Sequence, residues 1–257
     1  MKTKPKYASI AASAFWSVAI SFALVQTVSG QGFADLNFEQ ATIDSAPAGY
    51  TPSDAFNPIS ATSALPGWTV SEDGTTCTAI WGSPVALDET SVALVSGSYS
   101  PIQGNYSVQL TAYGDAPSGL YRSSSISQTA LVPAGSQSIQ FLIASPSQAG
   151  SVQPNPIVTL NGTPISLSEI SLSGGVITMA GNVSAFANTT ATLAFWCEAT
   201  TGGGYPANEN YYNLDDIQFS PSAVPEPNSL GLFGLGGLFL AWRNRKARTF
   251  NRKGVTH

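Results

Sequence analysis

The sequence predicts an all-β antiparallel domain held between two apolar, basic-flanked ends. Three observations predict it. Short β-rich runs alternate apolar and polar residues between Leu36 and Phe219. Clusters of Pro, Gly, Asn and Ser separate these runs at the spacing of a sandwich or barrel. No long helical periodicity and no repeat of 20–50 residues interrupts them.

The elements are taken in chain order. Lys2, Lys4 and Lys6 precede an apolar stretch from Tyr7 to Val25, and Val28-Ser29-Gly30 places small side chains at a cleavage point. That order predicts a secretory signal helix over residues 1–30; a retained N-terminal anchor helix is the alternative, and both export the domain. The β domain is assigned to residues 31–221. In "YSVQLT" Tyr106, Val108 and Leu110 share a face, in "QSIQFLIAS" Ile139, Phe141 and Ile143 do, and in "ATLAFWCEA" Leu193, Phe195 and Cys197 do. "ALVSGSY", "SISQTALVP", "PIVTL", "TPISL", "GVITMAG" and "LDDIQFS" supply further strands. Asn161-Gly162 in "VTLNGTPI" fits a two-residue hairpin turn, because both residues tolerate positive φ. Trp68 and Trp81 are assigned to the core or its rim.

Charge excludes several functions. The chain has a formal charge of −5, but between Gly32 and Val224 one arginine, Arg122, stands against fourteen carboxylates, giving −13. Such a surface repels phosphate backbones, so no nucleic-acid partner is expected. The sole histidine is His257, which rules out a Ser-His-Asp or Cys-His constellation and histidine-based zinc sites within 31–221. Asp215 and Asp216 are strand neighbours pointing to opposite faces, a poor pair for glycoside hydrolysis. No enzymatic activity is expected. Cys77 and Cys197 form either one long-range disulfide or two separate thiols. The sequons at Asn105, Asn161, Asn182 and Asn188 are compatible with glycosylation and with chance in a Ser/Thr/Asn-rich chain.

"LNFE" near the mature start, "LPGWTV", "GNVSAFANTTATLAFWC" and "NLDDIQFS" resemble, in order, the galactose-binding-like jelly rolls of carbohydrate-binding modules. The resemblance covers most of Leu36 to Ser220 and implies two antiparallel sheets packed face to face. It also implies a structural calcium ion joining the first and last strands, with Glu39, Asp215 and Asp216 as ligands. On the residues alone, Asp215 shares a strand face with Ile217 and Phe219. If they point inward, its carboxylate must be paired, hydrogen-bonded or metal-bound. A polysaccharide surface is the second expectation: Trp196 lies on the parity opposite Phe195, and Tyr121, Arg122 and the cluster Tyr205, Tyr211 and Tyr212 offer rings and a cation, although a sandwich also needs aromatics for packing.

Residues 222–257 carry the remaining pattern. Val224-Pro225-Glu226-Pro227 is held extended by its prolines. The apolar run 229–242 would be about 21 Å long as a helix, short against a hydrocarbon core of roughly 30 Å. Trp242 then sits at an interface, and Arg243, Arg245 and Lys246 open a basic tail, 243–257, that holds the end inside. This three-part order resembles a PEP-CTERM sorting signal. The resemblance implies passage through a secretion translocon, a transient stay in the inner membrane on a short transmembrane helix, and processing by an exosortase-type membrane transpeptidase. The product would reach the cell surface, outer envelope or extracellular matrix. The whole chain resembles exported proteins of Verrucomicrobia- and Planctomycetes-type bacteria.

Overall fold

Alternation turns Val92 and Leu94, Val108 and Leu110, and Ile139, Phe141 and Ile143 to one side of their strands. In the structure, a computed structural model, these side chains line one shared core. The structure describes residues 32–45, 57–83, 91–115, 120–145, 155–199 and 210–224. The signal-like start 1–30, Pro225, Glu226, Pro227, the apolar run 229–242 and the basic tail with Trp242, Arg243, Arg245 and Lys246 lie outside the described residues. Among the described residues no helix is long and apolar enough to cross a membrane.

The strands are β1 Pro58–Ser60, β2 Thr69–Glu72, β3 Thr75–Cys77, β4 Ala79–Trp81, β5 Ser91–Ser96, β6 Tyr106–Ala112, β7 Gly114–Asp115, β8 Leu120–Tyr121, β9 Ser123–Leu131, β10 Ser138–Ala144, β11 Ile157–Leu160, β12 Thr163–Pro164, β13 Leu167–Ser173, β14 Val176–Asn182, β15 Thr190–Glu198 and β16 Asn210–Ser220. A one-turn helix, α1 Ala61–Ala64, comes directly after β1. Eight strands form one sheet in the order β1-β4-β5-β6-β16-β10-β14-β13, and six form the other in the order β12-β11-β15-β9-β2-β3. Strand pairing is antiparallel apart from β4 on β5. This is a β-sandwich, as the alternation predicts.

Rings join the two sheets. Phe141 of the large sheet meets Phe195 of the small one edge to face, with centroids 5.1 Å apart. Trp68 packs on Phe195 and Phe38 on Trp68, at 6.3 and 5.9 Å. Each fully buried ring contributes roughly 1.5–3 kcal/mol of transfer free energy. The hairpin at Asn161-Gly162 forms as expected, with φ of 50° and 74° and Leu160 opposite Thr163.

The structure corrects two expectations and decides a third that the sequence leaves open. "LNFE" is not an opening strand: Asp35 and Phe38 have φ of 47° and 57°. The Asp35 carboxylate accepts the Gln40 N–H, so the segment turns twice and drives Phe38 fully into the core. In β16, Asp215 does not share the face of Ile217. Leu142 pairs with Asp215 but Gln140 pairs with Gln218, so β16 holds one extra residue there. Asp216, at φ 47°, is the bulge; it swaps the pleat, putting Tyr212, Leu214 and Ile217 in the core and Asp215 on the other face beside Ser107. Finally, Cys77 and Cys197 are free. Both lie in the six-stranded sheet with β2 and β9 between their strands. Three strand spacings come to about 14 Å, beyond the roughly 7 Å Cα limit for a bridge.

Candidate functional site

Two carboxylates from opposite ends of the chain grip one loop. The segment from Ile102 to Ser107 leads into β6, and its backbone N–H groups would otherwise be unpaired beside the sheet. Asp215 Oδ2 accepts the Gln103 N–H and the Ser107 hydroxyl, each at 2.9 Å, and Oδ1 accepts the Asp216 N–H at 2.7 Å. The Ser107 hydroxyl oxygen in turn accepts the Ile102 N–H at 2.7 Å. Glu39 Oε1 accepts the N–H groups of Asn105 and Tyr106, and Oε2 the Asn105 side-chain amide. Gly104 lies between them at φ 55°, so close to the Glu39 carboxylate that any Cβ would strike it. Burial pushes the Asp215 carboxyl up to about 6 despite its hydrogen bonds. Partial burial also raises Glu39, but the bonds from Asn105 and Tyr106 outweigh it and hold that group below its ordinary range.

This arrangement does not fit the calcium ion implied for Glu39, Asp215 and Asp216. Asp216 turns both oxygens to the Gln218 amide. The three carboxylates are thus turned to different partners rather than to one point: Glu39 to Asn105 and Tyr106, Asp215 to Gln103 and Ser107, Asp216 to Gln218. Among the described residues no group of three His, Cys, Asp or Glu side chains is placed to hold a metal. Asp35 Oδ2 is the contrasting case, buried without a partner among the described residues. Its carboxyl is pushed up chiefly by burial, with nearby Glu39 adding to the effect.

The outer face of the small sheet carries the sugar-binding expectation. Trp196 stands there half-buried, opposite Ser125 on β9 and Ile157 on β11. Around it the register brings together Thr69, Ser71, Ser125, Ser127, Thr129 and Thr192, with the Thr129 and Thr192 hydroxyls bonded at 2.8 Å. The result is a hydroxyl-lined face about one indole. The other expected members stand as follows. Arg122 is paired with Asp73 at 2.9 Å, Tyr121 is in β8 opposite Gly114, and Tyr205 lies outside the described residues. Tyr212 is a core residue whose hydroxyl donates to the Trp196 carbonyl, and Tyr211 is buried. Trp68 is core and Trp81 half-buried, as expected. Trp81 borders a cleft of about 50 Å³ with Pro58, Glu72, Ala79 and Ile80.

The outer face of the large sheet is not legible from the sequence. There Ser91, Ser107, Gln109, Thr111 and Asn213 are buried although their alternation marks them as solvent-facing. Among the described residues Ser91 Oγ, Gln109 Oε1 and Thr111 Oγ1 have no hydrogen-bond partner. The only signal is the polar run itself, and nothing in it says that it will be covered.

Residues 223–246 match the PEP-CTERM protein-sorting motif. That motif marks a protein exported and sorted to the cell surface. No curated protein matches the chain. Among solved structures, the chain is similar to the carbohydrate-binding module TmCBM61 in complex with beta-1,4-galactotriose, at 14% identity and TM-score 0.33, over 73% of this chain and 96% of that one. It is similar to the family 11 carbohydrate-binding module of Clostridium thermocellum in complex with a beta-1,3-1,4-mixed-linked tetrasaccharide, at 13% identity and TM-score 0.30, over 63% and 92%. It also resembles the enzymatically active domain of bacteriophage CBA120 tailspike protein 4, at 10% identity and TM-score 0.33, over 60% of this chain and 19% of that one.

Proposed function

We propose that this chain is a non-enzymatic β-sandwich delivered to the outside of a bacterial cell by its C-terminal sorting signal. The observation that carries the reading is the match at 223–246, which begins three residues after the end of β16 at Ser220. The chain passes a secretion translocon and pauses in the inner membrane on its short apolar run. An exosortase-type transpeptidase then processes it near Val224-Pro225-Glu226-Pro227. The prolines suit this step, since an extended peptide is what a membrane-embedded protease can hold. The freed sandwich becomes part of the surface, outer envelope or extracellular matrix. Mass spectrometry of the native protein from its cells tests this: mature ends are expected near Gly30–Gly32 and near Pro225–Pro227. A full-length chain in the cytosol with its basic tail attached would refute it.

A second reading, binding of polysaccharide, is favoured by Trp196 on the hydroxyl-lined face. An indole ring stacks on a sugar ring while flanking hydroxyls bond its rim. Glycan-array binding that is lost in Trp196→Ala supports it. An array on which the parent protein binds no glycan removes it and leaves the sorting reading intact.

A further inference from the structure

Among the described residues, four connections at one end of the sandwich carry no charge, and both described termini are at that end. Ser138 of β10 pairs with Asn182 of β14 and with Ser220 of β16, which aligns these three strand ends. Thr190 of β15 pairs with Leu131 of β9. Backbone bonds knit the two groups together: Gln137 N–H to Ser220, Val183 N–H to Gln137, Val132 N–H to Thr189 and Asn188 N–H to Val132. The Asn161-Gly162 turn reaches the same end, with Asn161 Oδ1 accepting the Thr192 N–H. The connections 132–137, 161–164, 183–189 and 221–224 contain no Asp, Glu, Lys, Arg or His. Their exposed residues are small or neutral, Ala134, Gln137, Ser184 and Ala185 among them.

The opposite end is different. There the Asp73–Arg122 pair closes β2 against β9, and Glu198 ends β15 opposite Ser123. In a domain with a formal charge of −13, carboxylates are thus absent from these four described connections. The carboxylates of β16 itself stop at Asp216, four residues before Ser220.

The chain enters and leaves by the neutral end. Gly32 bridges Leu131, and Phe33 stacks on Phe219 with centroids 5.1 Å apart. At the other terminus the Ser222 carbonyl accepts the Ser138 hydroxyl at 2.8 Å, so the fold holds the chain to within a residue of the sorting motif. From Val224 the apolar run begins at Ser229. Five residues span about 17 Å at most. The apolar stretch that ends at Val25 is only seven residues before Gly32.

We infer that this uncharged end, built from 132–137, 161–164, 183–189 and 221–224, is the face the sandwich lays against an anionic lipid surface before the tail is removed. The inference rests on the sorting reading, because that reading places the apolar run in a membrane. Two facts then make lipid the occupant. The tether is too short to let the domain stand far off. Carboxylates within a Debye length, about 8–10 Å, of anionic headgroups would be repelled; the four described connections have none, and the tether itself carries one, Glu226.

The test uses the full chain in vesicles of phosphatidylglycerol and phosphatidylethanolamine that contain a nitroxide-headgroup lipid. On a Cys77→Ser background, a dye is attached through Ala134→Cys, Ala185→Cys or Ser173→Cys. Position 173 closes β13 at the opposite end, about 20 Å farther along seven strand residues. Quenching at 134 and 185 is expected to exceed that at 173 at least threefold. Equal quenching, or more at 173, overturns the inference while leaving sorting in place. A chain that does not enter the vesicles at all overturns the sorting reading, and the inference with it. Where a substitution abolishes the parent melting transition, Gln137→Cys replaces Ala134→Cys and Ser184→Cys replaces Ala185→Cys.

Discussion

Acidification should stabilise this protein, and Asp215 should carry a measurable share. The Asp215 side chain is 1% exposed. Burial outweighs the bonds from Gln103, Ser107 and Asp216 and lifts the carboxyl from 3.8 to about 6. Between those values the native state holds a proton that the unfolded chain has lost, so stability rises as pH falls through the window. The full gain is present below about pH 4 and is gone above about pH 6. A gap of about two units corresponds to about 3 kcal/mol, or roughly 6–12 °C in Tm for a domain of this size. The raised carboxyl of Asp35 acts in the same direction and the lowered one of Glu39 against it. Relief of repulsion among the other carboxylates also favours acid. The discriminating measurement is therefore a comparison. Urea unfolding of the parent and of Asp215→Asn is measured from pH 7 to pH 4, and the slope between pH 6 and 4 should be shallower in the variant. Parallel curves, or a parent whose stability falls on acidification, would refute the assignment.

The same clamp yields two further expectations. Gly104→Ala should destabilise by about 2 kcal/mol in urea, since it places a Cβ at positive φ against the Glu39 carboxylate. Replacing EDTA with millimolar calcium should leave Tm within about 2 °C, the reverse being a rise of the size that tight binding gives. In the core, Phe141→Ala should cost about 3–5 kcal/mol, read from the urea midpoint, because its edge-to-face contact with Phe195 has no substitute. Thiol titration of the unreduced protein should find two free groups in denaturant. In the native state Cys77 should react slowly at neutral pH, its thiol pushed up to about 11 by burial, and Cys197 more slowly still, its thiol raised further by deeper burial.

Much of the sandwich is legible because one face of each central strand packs on the other sheet. Val108 and Leu110, Ile139 to Ile143, and Leu193 to Cys197 lie on the faces their alternation marks. The failures have local causes. In "NLDDIQF" the alternation breaks at Asp216, whose positive φ adds a residue without altering composition. That single bulge puts Leu214 in the core and takes Asp215 out of it. "LNFE" contains apolar residues at strand spacing, yet Phe38 reaches the core through two turns stabilised by Asp35. The clamp is half visible. Glu39 and Asp215 stand out in the sequence, but their partners are backbone N–H groups of the loop before β6, which carry no sequence signature. Parity places Trp196 on an outer face, and it is there. The hydroxyl rows around it depend on the order of β2, β9 and β15, which no local pattern encodes.

The position of β16 has a consequence for how the molecule is made. The last strand of the sandwich lies in the middle of the large sheet, between β6 and β10. Until residues 210–220 emerge, that sheet exists only as two separate halves, β1-β4-β5-β6 and β10-β14-β13, with raw edges facing each other. A chain threaded outward from its N-terminus thus acquires its keystone at the final moment, three residues before the sorting motif begins. Were the chain to cross unfolded, as the proposed secretion route requires, the sheet would stay open until β16 had emerged, and it would close with only the sorting signal still to follow.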